Sequence, residues 1–386
     1  MDRLPEPDAG ARAHSERVVA ALRAAIAADG GYIPFARYMD LALYAPGLGY
    51  YAAGARKLGA AGDFVTAPEL TPLFATALAT QVAAILAATP RREIVELGGG
   101  SGRLAADLLN ALGARDALPS RYAILEVSPD LAERQRATIA RDARAHGDRV
   151  CWVSALPDAI DGALIANEVL DAVAPHVVAR RSEEYFERGV TWDDAQSEFA
   201  WAERPADSRL ANLAATRFPQ GIDYASEINP AAEALVETIG TRIVAGAALF
   251  LDYGFPAAEY YHPQRSEGTL MCHYRHRAHG NPFVWPGLTD ITAHVDFSAM
   301  AAAGERGGLD VAGFAAQAPF LLGCGILDAL AATGAPETLD YIRAAAAVQK
   351  LLAPSEMGEL FKVLALARSE TIAWPGFEMS DRRHRL

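Results

Sequence analysis

The sequence predicts an α/β protein built on a parallel, doubly wound sheet, and three observations carry that prediction. First, apolar strand-like runs alternate with helical patterns between residues 93 and 168, the order that forces parallel pairing. Second, REIVELGGGSGRLAADLL, residues 92 to 109, reads as strand, glycine turn and helix. Ile94, Val95 and Leu97 form the strand, and Leu104, Leu108 and Leu109 resume at helical spacing after Gly98, Gly99, Gly100 and Gly102. Third, Glu96, Glu126, Ser154, Asn167 and Glu168 all fall where the strands end. Ligands on such sheets lie outside the carboxyl ends of the strands.

In chain order, residues 1 to 12 read as a loose tail. Val18, Val19, Leu22 and Ile26 share one helical face, stopped by Gly30 and Gly31. A short helix holds Phe35, Tyr38, Met39 and Leu43; residues 45 to 69 are glycine-rich and irregular. A third helix covers about 69 to 86. Strands are expected at 93 to 97, at 122 to 128, at 149 to 154 and at 162 to 168, with a helix over 102 to 112. Ser128 reads as an N-cap and Pro129 as the first residue of a helix carrying Leu131, Gln135 and Ile139. Residues 176 to 203 alternate and look like a β-rich insertion. Asn229 and Pro230 start another helix, and residues 247 to 254 form a fifth strand. Phe255 to His294 reads as a second irregular stretch, before final strands at 309 to 317 and 361 to 368 with helices near 319 to 331 and 336 to 352. The expected organisation is an N-terminal helical segment with a lid loop over 1–89 and a Rossmann-like core over 90–255 with the insertion at about 176–225. A substrate loop, helices and the last two strands fill 256–386.

Composition narrows the function classes. A net charge of −13 argues against a general nucleic-acid binder, which would carry a basic stripe. The three cysteines, Cys151, Cys272 and Cys324, have no C-x-x-C spacing, which points to a reducing compartment and to neither a zinc site nor a disulfide framework. No apolar signal core and no run long enough for a membrane span is seen, so a soluble cytoplasmic protein is expected. Alanine-rich helices suit a homodimer interface as well as the core.

The glycine run needs a ligand to explain it. Glycine permits a backbone approach that no side chain allows, and the next helix offers unpaired N–H groups to a ligand's oxygens. The dinucleotide fingerprint is G-x-G-x-x-G, whereas this chain has G-x-G-x-G with Glu96 two residues ahead. Glu126, ending the next strand, can accept hydrogen bonds from both hydroxyls of a ribose. E-L-G-x-G-x-G followed by that second acid resembles the S-adenosyl-L-methionine site of class I methyltransferases. A turn with no ligand is the plainer reading of the glycines alone.

Further blocks recur in one order: GDFVTAPEL (62 to 70), ANEVLDAVAPH (166 to 176), LDYG (251 to 254), PGLTDITAHVDF (286 to 297), FLLGCGI (320 to 326) and MGELFKVL (357 to 364). Together they resemble the MidA-like family, whose mitochondrial members are arginine methyltransferases assisting assembly of respiratory complex I. The resemblance spans about Tyr32 to Arg368 and implies a class I methyltransferase fold, S-adenosyl-L-methionine as donor with S-adenosyl-L-homocysteine as product, and a protein arginine as acceptor. The implied partner is a protein substrate, on the family pattern a subunit of the respiratory NADH dehydrogenase. Where many relatives carry proline this chain has Gly99, which tolerates more backbone angles. It also lacks a basic, acid-poor transit segment, which favours a bacterial-type cytosolic protein.

Methyl transfer to nitrogen asks mainly for positioning and electrostatics. An arginine acceptor has a pKa above about 12 and no free lone pair; carboxylates can clamp it bidentately, orient one nitrogen and take up the proton as transfer proceeds. Glu168 is the expected clamp. Asp171 follows three residues later, on the same face if a helix starts there; the plainer reading makes Asn167 and Asp171 helix caps. Asp63, Thr66 and Glu69 are expected to close over the cofactor, or else to form a loop ending in a helix cap. Asp252 and Tyr253 could line the acceptor pocket, or Asp252 could satisfy loop N–H groups. His294 is a candidate proton acceptor, against a reading in which it braces its loop while Asp296 caps the next helix. His273, His276 and His279 step by three, but Arg275 and Arg277 are interleaved and Gly280 and Pro282 disrupt a helix, so no metal is expected. The competing function is a protein that binds S-adenosyl-L-methionine and acts as an assembly or scaffold factor without robust catalysis; retention of both acids favours the enzyme.

Overall fold

The structure, a computed structural model, describes residues 4–52, 66–368 and 371–386. The chain divides into two compact units, one made of residues 65–170, 234–256 and 295–386, the other of 1–64, 171–233 and 257–294. Among the described residues no helix is long and apolar enough to cross a membrane.

The first unit holds a seven-strand path: β1 (Glu93–Leu97), β2 (Arg121–Leu125), β3 (Val150–Val153), β4 (Ile160–Asn167), β5 (Ile243–Phe255), β6 (Asp310–Ala316) and β7 (Phe361–Ala367). Their spatial order is β3-β2-β1-β4-β5-β7-β6. Every neighbour from β3 to β5 is parallel, while β7 runs antiparallel to both β5 and β6. The order reverses between β1 and β4, which makes their carboxyl ends the switch point where a ligand crevice opens. The expected doubly wound α/β sheet is present, with both final strands in place. Its core is continuous with the helices Pro72–Ala87 and Arg103–Gly113, where Leu78, Val82, Leu108, Leu109 and Leu112 are fully buried. Each such side chain contributes about 1.5–3 kcal/mol.

Two helical boundaries differ from expectation for local reasons. The helix expected over 69 to 86 is two helices, Ala67–Leu70 and Pro72–Ala87. Thr71 is extended between them, and its hydroxyl accepts the Leu73 N–H at 3.3 Å. Pro72 then starts the second helix because it cannot continue the first. The expected loose tail contains the start of helix Ala9–Ala28, since the Asp8 carboxylate caps it by accepting the Ala11 N–H at 2.9 Å.

In the second unit, Ile33–Pro34, His176–Arg181, Glu184–Asp193, Glu198–Pro205 and Tyr224–Ile228 form an antiparallel sheet. Tyr38 anchors the aromatic cluster of this unit, edge-on to both Phe199 and Phe283. The stretch Phe255 to His294, expected to be irregular, contains a three-stranded sheet of Met271–Tyr274, Arg277–His279 and Asp290–Thr292. Its hairpin turns at Arg275 (φ 47°) and His276 (φ 61°). Two left-handed residues match the twist of a hairpin, but without glycine or asparagine there the turn leaves no signature in the sequence. His273, His276 and His279 are thus spread along a hairpin. Among the described residues no three His, Cys, Asp or Glu side chains gather in a group that could hold a metal ion.

Candidate functional site

The glycine loop lies where β1 ends. Gly98, Gly100 and Gly102 have φ of 61°, 51° and 81°, conformations that L side chains rarely adopt. Gly102 N–H donates to Gly99 O at 2.8 Å, closing the turn, and Gly98 N–H donates to Leu125 O at 3.2 Å, tying it to β2. A Cβ on Gly102 would stand 2.8 Å from Gln135 Cα, and one on Gly99 2.8 Å from Ile124 Cγ2. Helix Arg103–Gly113 starts immediately, so the positive end of its dipole lies at the loop.

Glu126, just past β2, is half-buried and held from several directions. One carboxylate oxygen accepts the Ser128 N–H at 2.9 Å and the other accepts Gln135 Nε2 at 2.8 Å. Burial raises its pKa, opposed by those same bonds. Gln135 also donates to Gly100 O at 3.1 Å and accepts the Trp152 indole N–H at 2.8 Å. This fully buried amide therefore joins the glycine loop, the acid and β3. Sequence reasoning placed Gln135 on a helical face and missed its role. The signal was there: a polar residue between Leu131 and Ile139 at i, i+4 spacing, where an apolar one belongs.

Glu96, one residue before the end of β1, is buried and accepts the Tyr122 hydroxyl at 2.9 Å. Burial pushes its carboxyl up to about 7; the Tyr122 bond opposes this and the nearby Glu126 adds to it. Glu69 reaches the loop from helix Ala67–Leu70, accepting the Ser101 hydroxyl. Thr66 is the N-cap of that helix but makes no side-chain cap bond; Asp63 lies outside the described residues. Ser154 is exposed just beyond β3. Asn167 ends β4, its amide donating to Glu168 Oε1 at 3.2 Å.

Glu168 has φ 53°, and its N–H donates to Leu251 O at 2.9 Å. Asp252, three residues before the end of β5, accepts the N–H groups of Val169 at 3.2 Å, Leu170 at 3.0 Å and Tyr253 at 2.9 Å. It thus satisfies loop N–H groups, as its plainer reading had it. No helix starts after β4: residues 169–175 turn irregularly toward the next strand. Pro175 disfavours a helical Ala174, and the next strand starts at His176, so the segment is too short for a helix of ordinary length. The expectation that Glu168 and Asp171 share a helical face is therefore corrected, as is the reading of Asn167 and Asp171 as caps. Asp171 is buried, and its carbonyl accepts the Ala293 N–H at 3.1 Å. His294 N–H donates to Thr269 Oγ1 at 3.1 Å, with Nδ1 3.3 Å from Thr269 O. Asp296 caps helix Phe297–Arg306 by accepting the Ala299 N–H at 3.1 Å.

Residues 77–315 match the sequence pattern of an S-adenosyl-L-methionine-dependent methyltransferase family. The chain belongs to that family. It is also 30% identical to the mitochondrial protein arginine methyltransferase NDUFAF7 homolog of Drosophila melanogaster, over 94% of this chain and 87% of the relative. Identity to mitochondrial protein arginine methyltransferase NDUFAF7 of Mus musculus is 29%, over 87% and 81% of the two chains. Among solved structures, a COG1565 superfamily member from Burkholderia thailandensis bound to S-adenosyl-homocysteine is 49% identical and covers both chains fully, with a TM-score of 0.95.

This methyltransferase has residues that fit the cofactor. The left-handed glycines turn the loop tightly and pack it against Val169 and Gln135, which fixes its backbone beside the helix start; the helix N-terminus suits a carboxylate, and Glu126 suits ribose hydroxyls. When bound, S-adenosyl-L-methionine supplies a methyl group already activated on a sulfonium. What this chain supplies is a rigid cradle, with Gln135 and Ser128 holding the Glu126 carboxylate in place before any ligand arrives.

Proposed function

We propose that this methyltransferase modifies an arginine side chain of a protein, with a subunit of the respiratory NADH dehydrogenase as the acceptor, and that Glu168, Asp171 and His294 serve the acceptor. The backbone of Glu168 carries the reading. A bulky acid at φ 53°, at the carboxyl end of a strand beside the switch point, is a local outlier. Such strain costs about 1–3 kcal/mol and persists where function uses it. The bonds from Glu168 N–H to Leu251 O and from the next two N–H groups to Asp252 hold it there.

In this reading Glu168 clamps the guanidinium and orients one nitrogen, and Asp171 adds a second carboxylate. His294 takes the proton that leaves that nitrogen as it gains the methyl group. Asp63, Thr66, Glu69, Glu96, Gly98, Gly100, Gly102, Glu126, Ser154 and Asn167 are assigned to the cofactor side. The names of the mitochondrial relatives support an arginine acceptor over the scaffold alternative.

The test is transfer of a radiolabelled methyl group from S-adenosyl-L-methionine to protein from cells lacking the gene, followed by complete hydrolysis. Label is expected in methylated arginine, with Glu168→Gln slower by about a hundredfold. Label in lysine, in nucleic acid or in small metabolites would overturn the arginine reading.

A further inference from the structure

Glu227 is a buried acid that nothing above employs, and it lies at the centre of a hydrogen-bond network. Its carboxylate accepts the Thr269 N–H at 3.0 Å to both oxygens, the Thr269 hydroxyl at 2.9 Å and the Leu270 N–H at 3.2 Å. The Tyr260 hydroxyl adds a bond of 3.3 Å and the Ser226 hydroxyl one of 3.4 Å. Gly268 is left-handed at φ 80°, and a Cβ there would stand 2.3 Å from Glu227 Oε1. The carboxylate therefore grips Thr269 through both its backbone and its side chain.

Thr269 passes that grip to His294, and the direction of each bond follows from the donors available. A carboxylate only accepts, and its 2.9 Å contact with the Thr269 hydroxyl is much shorter than the 3.4 Å contact of that hydroxyl with the Tyr260 hydroxyl, so the single hydroxyl proton of Thr269 goes to Glu227. The lone pairs of Thr269 Oγ1 then receive the His294 N–H at 3.1 Å. A backbone carbonyl also only accepts, so the 3.3 Å contact between Thr269 O and His294 Nδ1 requires the proton on Nδ1. In the neutral ring, Nε2 is then the nitrogen that can take up a proton.

From this geometry we infer that Glu227 is a positioning residue that, through Thr269, fixes the tautomer and orientation of the His294 imidazole so that Nε2 is its proton-accepting atom. The inference rests on the proposed role of His294 only for its catalytic consequence; the tautomer itself is a property of the resting protein. It adds a residue 42 positions from Thr269 in sequence to the acceptor chemistry.

The experiment is nitrogen-15 NMR of ring-labelled histidine in the full-length protein, with His294→Gln assigning the resonance. Wild type is expected to show the Nδ1–H tautomer. Glu227→Gln, which turns donors toward the Thr269 N–H, and Gly268→Ala, which displaces the carboxylate without removing it, should each mix the tautomers. Glu227→Asp should restore part of the wild-type signal. Calorimetric binding of S-adenosyl-L-homocysteine to each variant verifies folding. An Nε2–H ring in wild type, or an unchanged ring in folded Glu227→Gln, would overturn the inference. Methyl transfer to lysate protein is read beside it, with kcat in Glu227→Gln expected to fall about tenfold to a hundredfold and KM to hold. A changed tautomer with an unchanged rate would uphold the positioning and remove His294 as the proton acceptor, so failure of the proposed function and failure of this inference give different results.

Discussion

The glycine-loop site and the His294 network are held in opposite ways. At the loop, backbone geometry does most of the holding: left-handed glycines, a helix start and the Ser128 N–H on Glu126, with the Gln135 amide packed against the turn from 35 residues away. Around His294 the partners are 25 and 42 residues apart, and side chains do the holding, with Glu227 gathering Thr269 and Thr269 gathering His294. A site held mainly by backbone geometry tolerates loss of a side chain elsewhere in the fold. A site assembled across long loops depends on one carboxylate.

The Glu168 turn in the sheet unit is held from farther along the chain than either and should show the largest effect. Asp252 holds it from 82 and 83 residues away by accepting two N–H groups, and accepts a third from Tyr253. Asp252→Ala leaves three N–H donors to find water, at about 1–3 kcal/mol each where buried. Urea denaturation should show a loss of about 3–5 kcal/mol. The local glycine site should survive in the folded fraction, with the Kd for S-adenosyl-L-homocysteine changing less than about threefold. A collapse of binding equal to that of Glu126→Ala would erase the contrast between local and long-range holding.

Glu96 gives a pH-dependent test of the local side. Its carboxyl rises from 4.5 to about 7, chiefly through burial. The folded state therefore keeps a proton that the unfolded state releases. That contribution is fully present below pH 4.5 and is lost as pH rises through about 7. It amounts to about 3 kcal/mol. Denaturation of wild type should lose stability from pH 5 to pH 8, and Glu96→Gln should flatten the slope. An equal slope in the two proteins would show that Glu96 ionises in the fold as it does in the open chain.

Glu126→Ala should act chiefly on binding, with a stability loss of about 1–3 kcal/mol from the Ser128 N–H and Gln135 amide that lose their acceptor. It removes the acceptor expected for the ribose hydroxyls, and hydrogen bonds to a charged group are worth about 1.5–3 kcal/mol, or roughly a hundredfold in Kd. Calorimetry with S-adenosyl-L-homocysteine measures this. A change below about threefold would move the ribose contact elsewhere and leave the glycine loop as the whole of the cradle.

These contrasts also explain what was legible in the sequence. The sheet, its last two strands, the Ser128 cap and the glycine turn are local patterns, and each has the predicted form. Gln135 was visible only as a polar intruder on an apolar face, because its partners Gly100 and Trp152 come together through tertiary packing. The helix expected after Asn167 is absent because Pro175 and the strand from His176 leave it only a few residues, and Asp252, far away in sequence, holds the Val169 and Leu170 N–H groups in a turn. The hairpin at Arg275 and His276 was illegible because its left-handed turn uses neither glycine nor asparagine. Nothing near Glu227 in sequence reveals that Thr269 and His294 depend on it.

Ser128 carries the smallest prediction and the finest test of local holding. Its side chain and its backbone do separate jobs at one residue. The hydroxyl accepts the Leu131 N–H at 3.4 Å and caps helix Pro129–Asp142, while its own N–H donates to Glu126 at 2.9 Å. Ser128→Ala removes only the first, and losing such a cap costs about 1 kcal/mol of stability. The second bond belongs to the backbone and survives the substitution. Thermal unfolding should register the loss, while calorimetric binding of S-adenosyl-L-homocysteine should weaken by less than about threefold, because the cap and the Glu126 contact are separate bonds. If affinity fell as far as in Glu126→Ala, the acid would be positioned by the cap, and the cradle would depend on a side chain in the same way as His294 depends on Glu227.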